Sequence, residues 1–276
     1  MKNKISFLEI SLLLVILSII NGCTKNVFVP NQNNFLKQVK SDGYVVEQIS
    51  YNQNKLVAEV NSTTFYRKFL YDNNKRLIKE EIAASPDMLS SSMAIGMTHE
   101  FVDPDKAGIS MYLVYVYGDN GYLTRQLCYV SENGQFEFRS MRTFEYNDNH
   151  LVSKVLLHDS DSTVTQFFTY QYDNSGNVIE ENYFTYLFVP AGTGPKQLSK
   201  TTIEYDSYFN PFKIFSQTAS PGIYTNTNNI IRTQSISYEH TPGLSDYSES
   251  VFSYEYNLES GYPVKLKDGE EYIYDL

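Results

Sequence analysis

From residue 37 to the C-terminus, apolar and polar residues alternate with a period of two, interrupted by clusters of Asp, Asn, Gly and Ser. A period of two sends alternate side chains to opposite faces of a strand, and the interruptions read as tight turns. The clearest copy is Tyr170-Gln171-Tyr172-Asp173-Asn174-Ser175-Gly176-Asn177-Val178-Ile179-Glu180-Glu181. Tyr170 and Tyr172 share a face, 173–177 turns the chain, and Val178 opens a returning strand. Eight such pairs recur: Ile49/Tyr51, Phe69/Tyr71, Tyr115/Tyr117, Phe144/Tyr146, Tyr170/Tyr172, Ile203/Tyr205, Tyr254/Tyr256 and Tyr272/Tyr274. An Asp or Asn follows the second member in all but one, where Gly118 stands before Asp119-Asn120-Gly121. Such residues tolerate left-handed backbone and bond into their own turns. The predicted return strands open at Leu56, Leu77, Leu123, Leu151, Val178, Phe212 and Val264.

The spacing between copies is irregular, which excludes a solenoid of fixed period. In the late copies one strand face is aromatic and the other polar, as in an antiparallel sheet with one wet side. Met111 to Tyr117 is apolar on both parities and is expected to be covered on both sides. The segment 83–110 is the natural cover; Ser85-Pro86 reads as a helix start. Two further irregular insertions run over Val189–Gln197 and Ser220–Asn229. The pattern predicts an all-β protein, a long antiparallel meander of about fourteen strands. Its sheet is strongly curved or closed like a barrel, with at most a short helix in the 83–110 insertion.

The first 22 residues do not fit this pattern. Lys2 and Lys4 precede an apolar run, Ile10 to Ile20, too short for a comfortable membrane span. It ends at Gly22-Cys23, and a small residue directly before a lone Cys after such a run resembles the bacterial lipobox. That resemblance implies cleavage before Cys23, a lipid on its thiol, and residence at the outer membrane, leaflet undetermined. An ordinary secretory signal or an uncleaved anchor are the other readings of the same residues. Residues 23–36, rich in Asn, Gln, Pro and Val, read as a flexible tether, and 37–276 as a single hairpin-repeat domain.

Composition then narrows the function. The net charge is −10, and removing Lys2, Lys4 and Glu9 makes it slightly more acidic, which works against nucleic acid or anionic lipid binding through a basic surface. Cys128 is the second of two cysteines, so with Cys23 lipidated no disulfide framework remains, and a lone strand thiol reads as a small hydrophobe. Twenty-four Tyr and no Trp suit half-buried sheet surfaces better than a glycan platform.

Tyr172-Asp173-Asn174-Ser175-Gly176-Asn177-Val178 resembles the YD repeat of bacterial Rhs proteins and teneurins, whose hairpins spiral into a β shell. Tyr71-Asp72 and Tyr205-Asp206 match it more loosely. The ending Tyr254 to Val264, then Asp268-Gly269 and Tyr272-Ile273-Tyr274, is similar to Bacteroidota lipoproteins of unknown function with a porin-like or meander sheet. These resemblances imply a fold and an address, not a reaction.

No catalytic, cofactor or metal residue is assigned. His99, His150, His158 and His240 lack metal-ligand spacing. His158-Asp159-Ser160-Asp161 reads as an acidic hairpin turn before it reads as a cation site. Gly192-Thr193-Gly194-Pro195-Lys196 lacks the spacing and following helix of a phosphate loop. Glu80/Glu81 and Glu180/Glu181 alternate across strands, so each pair splits between faces. The expected function is a non-catalytic envelope protein, a binding or scaffold module meeting a protein, glycan or lipid partner. The alternative is a carrier of a lipid or apolar ligand held within the curved sheet. If a site exists, the departures from the repeat, above all Ala83–Ser110, are where it is expected. The anchor is testable in cells: Cys23→Ala abolishes incorporation of radioactive fatty acid, and retained label overturns the lipobox reading.

Overall fold

The computed structural model describes residues 35–84, 100–187, 189–190, 192–218, 220–238, 245–267 and 269–275. All belong to one compact unit, Gln32–Leu276. Residues 1–22, Cys23, the tether up to residue 34, Ser85-Pro86, His99 and His240 lie outside the described residues.

Among the described residues, seventeen strands form one antiparallel sheet. The first five are β1 (Phe35–Ser41), β2 (Tyr44–Tyr51), β3 (Val57–Ser62), β4 (Phe65–Tyr71) and β5 (Leu77–Ala84), followed by the one-turn helix α1 (Pro104–Ala107). Next come β6 (Met111–Tyr117), β7 (Leu123–Glu132), β8 (Gln135–Tyr146), β9 (Val152–His158), β10 (Val164–Tyr172), β11 (Val178–Thr185) and β12 (Lys196–Phe209). A 3-10 helix, Pro211–Thr218, leads to β13 (Asn228–Tyr238), β14 (Ser245–Val251), β15 (Tyr254–Asn257), β16 (Tyr262–Leu266) and β17 (Glu271–Asp275). Neighbours in sequence are neighbours in the sheet except β14 and β15, which pair with β13 and β16 respectively, and β1 pairs with both β2 and β17. Strand β1 starts at Phe35, with Leu36 1% exposed, so ordered structure reaches two residues into the predicted tether.

The curl has a local cause. In each of six hairpins the register slips by one residue at the second aromatic of the repeat. Slips fall at Ser50/Tyr51, Leu70/Tyr71, Val116/Tyr117, Glu145/Tyr146, Gln171/Tyr172 and Glu255/Tyr256, and the β12–β13 pair slips likewise at Glu204/Tyr205. A bulge bends its strand and increases the local twist, so bulges repeated at one end of the sheet curl it. The sheet is curled rather than a closed cylinder. At Phe252-Ser253 the ladder changes partner, from β13 along β14 to β16 along β15. The Phe252 N–H donates to Ile231 O, and Ser253 O accepts from the Lys267 N–H.

The interior is filled on one side. Leu36, Val39, Ile49, Val57, Val60, Phe69, Leu77, Tyr115, Leu123 and Tyr272 form a buried cluster joined by Phe215 of the 3-10 helix. Phe215 lies 6.1 Å from Phe69 and 5.3 Å from Tyr224, ring to ring, and Phe212 meets Tyr272 edge-on at 5.8 Å. Segment 210–227 is therefore an internal plug. This corrects the expectation that Phe212 opens a return strand. Asn210 Oδ1 accepts from the Phe212 N–H and Pro211 follows, a start signal that a 3-10 helix uses as readily as a turn.

The described part of the 83–110 insertion contains a short helix at Pro104–Ala107, not at the Ser85-Pro86 start read from the sequence, which lies outside the described residues; it is capped by Asp103, whose carboxylate accepts from the Asp105 N–H. Val102, Ala107 and Ile109 pack on Tyr66 and Ala83, so the described part of this segment covers β4 and β5. On the other face of β6 the contacts are within the sheet rather than a cover: Tyr112 stacks on its cross-strand neighbour Tyr129 at 4.8 Å and meets Phe136 of β8 at 4.9 Å. If the plug is integral to the core, Phe215→Ala costs roughly 3–5 kcal/mol in urea denaturation. A cost under about 1 kcal/mol makes it a surface appendage.

Candidate functional site

The repeated tyrosines are committed to architecture. The second tyrosine of a hairpin donates its hydroxyl to a carbonyl at the start of an earlier return strand. Tyr51 reaches Leu36 O at 2.6 Å, Tyr71 Val57 O at 2.8 Å, Tyr117 Leu77 O at 2.9 Å and Tyr146 Leu123 O at 2.8 Å. Tyr172 reaches Val152 O at 2.7 Å, Tyr205 Val178 O at 2.6 Å and Tyr274 Pro263 O at 2.7 Å. Tyr256 bonds instead to Asp206. Below Tyr71, Tyr146 and Tyr172 the turn closes in the same way. Asp72 Oδ1 accepts from the N–H groups of Asn74 and Arg76, Asn147 Oδ1 from Asn149 and Leu151, and Asp173 Oδ1 from Ser175 and Asn177. The fourth turn position has positive φ at Lys55, Lys75, Gly121, His150 and Gly176.

Inside the packed half sits a charged hub. Glu80, 1% exposed, accepts from Arg67 Nε at 2.6 Å and from the Tyr115 hydroxyl at 2.9 Å. The Arg67 guanidinium also lies 5.0 Å from the Phe69 ring centre and 5.8 Å from that of Phe215. Burial works against the Arg67 charge, and the Glu80 carboxylate holds it in place. Burial raises Glu47, against the pull of Arg67. A buried charge pair fixed by hydrogen bonds specifies one arrangement; here both Glu80 oxygens are used, Oε1 by Arg67 and Oε2 by Tyr115.

Three recesses remain along the plug. One, of about 300 Å³ and mostly apolar, lies at the change of ladder partner, between Phe212 and Ile223 of the plug and Ile230, Phe252, Tyr254 and Leu266 of the sheet. A second, of about 180 Å³, separates Pro221 from Phe144, Val155, Phe168 and Tyr170, with Arg142 and Glu181 on its wall. Burial pushes the Glu181 carboxyl up.

The third, of about 280 Å³, opens at the turn end, where the plug residues Ser216, Gln217 and Pro221 face three adjacent turns. Its rings are Tyr117, Tyr122, Tyr146, Tyr172 and His150. Tyr122 stacks on His150 at 5.3 Å and lies 5.1 Å from Tyr146. On either side of His150 the equivalent turn position is glycine, at Gly121 and Gly176, and nothing lies within 4 Å of where their Cβ atoms would be. This leaves the room above the stack. Arg76 is committed to Asp72 through Nε and Nη2, both at 2.8 Å.

The predicted residues fall as follows. Glu80 points inward while Glu81 meets Lys79 at 2.8 Å, and Glu181 lines the recess while Glu180 meets Lys200 at 2.7 Å; the face-splitting of both pairs holds. The 158–161 stretch is a hairpin turn, with His158 bonded to Thr143 Oγ1 at 3.0 Å and to Ser162 O at 3.1 Å. Among the described residues no group of three His, Cys, Asp or Glu is placed to hold a metal ion. The Thr193 hydroxyl and N–H both donate to Pro190 O, a turn rather than a phosphate cradle, and Lys196 begins a strand. Cys128 is half-buried and burial raises its thiol. The recesses border the plug and not the described part of 83–110. The repeat pattern hid this, because Phe212 mimics a return strand.

No protein-family model and no curated protein matches this chain. Among solved structures it is similar to a porin-like protein from Bacteroides uniformis ATCC 8492, with 11% identity over 87% of this chain and 97% of that one, TM-score 0.41. A DUF3836 family protein from Parabacteroides distasonis ATCC 8503 shares 27% identity over 26% of this chain and 74% of its own, TM-score 0.23. A protein of unknown function from Bacteroides fragilis NCTC 9343 shares 9% over 68% and 91%, TM-score 0.26. With TM-scores below 0.5, none of these likenesses assigns a function.

Burial pushes the hydroxyls of Tyr71, Tyr117 and Tyr146 up to about 12, above the ordinary tyrosine value near 10. The folded state therefore keeps protons that the unfolded chain releases. The stability these groups contribute is intact below about pH 10 and is lost as pH rises toward about 12. Near-ultraviolet titration should show most tyrosines ionising together with unfolding in that window. Ionisation of the majority near pH 10 without unfolding contradicts the hydroxyl–carbonyl contacts.

Proposed function

We propose that this chain is a non-catalytic binding or scaffold protein of the cell envelope, held at the outer membrane by a lipid on Cys23. The observation that carries the reading is the turn-end groove between the plug and the hairpins at 118–122, 147–151 and 173–177. It combines aromatic rings with uncommitted neutral polar groups on a rigid wall, the composition of a recognition surface. In the packed interior Glu80 is engaged by Arg67 and Tyr115, and Arg67 lies against the phenylalanine rings around it.

The carrier reading has less support. Phe212, Ile214 and Phe215 occupy the space a lipid tail needs, and the apolar recess of about 300 Å³ is at the small end of ligand pockets. Two measurements separate the readings. Organic extraction of purified protein, followed by mass spectrometry, should release no lipid at equimolar yield; an equimolar lipid favours the carrier. Turnover of model glycoside, ester or peptide substrates by the purified chain sinks the non-catalytic assignment.

A further inference from the structure

We propose that the turn-end groove is a subsite for a neutral saccharide ring; this rests on the binding-module reading above and names its ligand class. The hydroxyls of Tyr117, Tyr146 and Tyr172 are spent on strand carbonyls, so these residues offer the groove only their rings. Four residues lining the groove carry polar side-chain atoms that hydrogen-bond to nothing among the described residues: Tyr122 and Ser216 through their hydroxyls, His150 through its ring nitrogens and Gln217 through Nε2. Gln217 is held in position by its other amide atom, Oε1, which accepts from the Leu77 N–H at 2.9 Å.

The charges narrow the class further. Among the described residues lining the groove, Arg76 is the one Lys or Arg, and it is held by Asp72. A charged ligand would leave water without an opposite charge waiting for it, which is costly. A purely apolar ligand would cover four hydrogen-bonding groups without pairing them, at a penalty for each. A ligand with an apolar ring face and hydroxyls at its edge satisfies both demands: it lies against the rings and pairs with the free donors and acceptors. That is a neutral sugar. At about 280 Å³ with an open mouth, the groove has room for one or two rings of a longer glycan.

Tyr122 and His150 are the residues to change, because neither belongs to the hydroxyl ladder. His150 carries φ 62, so His150→Gly removes the ring and relieves backbone strain at once. Full-length wild type, His150→Gly and Tyr122→Ser are applied to an array of neutral, acidic and amino glycans, with thermal denaturation as the control for folding. The expected result is binding to neutral glycans in preference to charged ones. His150→Gly should weaken it about tenfold with an unchanged or higher melting temperature. Absence of any neutral-glycan signal, or binding indifferent to both substitutions, overturns the proposal. A photo-crosslinker placed at Ser216 separates that failure from failure of the binding-module reading. A protein captured by wild type and lost in the two variants keeps the groove as a binding site and discards only the sugar.

Discussion

The structure depends on one contact repeated around the sheet: a tyrosine hydroxyl donated to the carbonyl at the start of an earlier return strand. Seven tyrosines make it at 2.6 to 2.9 Å. Each such bond contributes on the order of 1 kcal/mol, but its geometric effect is larger. Six of the seven tyrosines sit at a register slip, and five of these stand directly before an Asp or Asn whose side chain bonds into the following turn. That combination is the core of the repeat. Since each bond ties one hairpin to another, the hairpins cannot slide in register independently, and the bulges that admit the tyrosines also curl the sheet.

Curling creates a problem that the plug solves. A concave face carrying Ile49, Phe69, Leu77 and Tyr115 needs an apolar partner, and a curled sheet of this size leaves too much room for its own side chains to fill. Segment 210–227 supplies Phe212, Ile214 and Phe215. It is held by polar contacts at several points: Gln217 to the Leu77 N–H, Asn226 to the Val178 N–H at 2.9 Å, and Asn226 Nδ2 to the Tyr205 hydroxyl at 2.8 Å. The last of these joins the plug directly to the ladder. The recesses exist where the plug and the sheet fail to meet, and one of them falls where the turns carry rings and glycines.

Much of the fold was legible in the chain, and less of the candidate site. Asp72, Asn147 and Asp173 announced their turns because an Asx turn is made within five residues. The outward and inward partition of Glu180 and Glu181 follows from the period of two. The plug was not legible, because Asn210-Pro211 starts a turn or a helix equally well and Phe212 suits a strand or a core. The site inherits that ambiguity. Ser216 and Gln217 had no visible role, and Tyr122 and His150 looked like ordinary turn residues, because what joins them is proximity across three hairpins.

By itself, then, the sequence determined everything that local backbone chemistry controls: antiparallel hairpins, the face each tyrosine takes, the turns, and a sheet bound to curve. Only the tertiary structure decided where the tyrosine hydroxyls end, that an inserted segment fills the concavity, and that ring-bearing turns gather beside it. The physical reason is range. Turn and strand preferences act between residues a few positions apart. The partner of Leu77 N–H is 140 residues away at Gln217, and no local pattern encodes a contact of that separation.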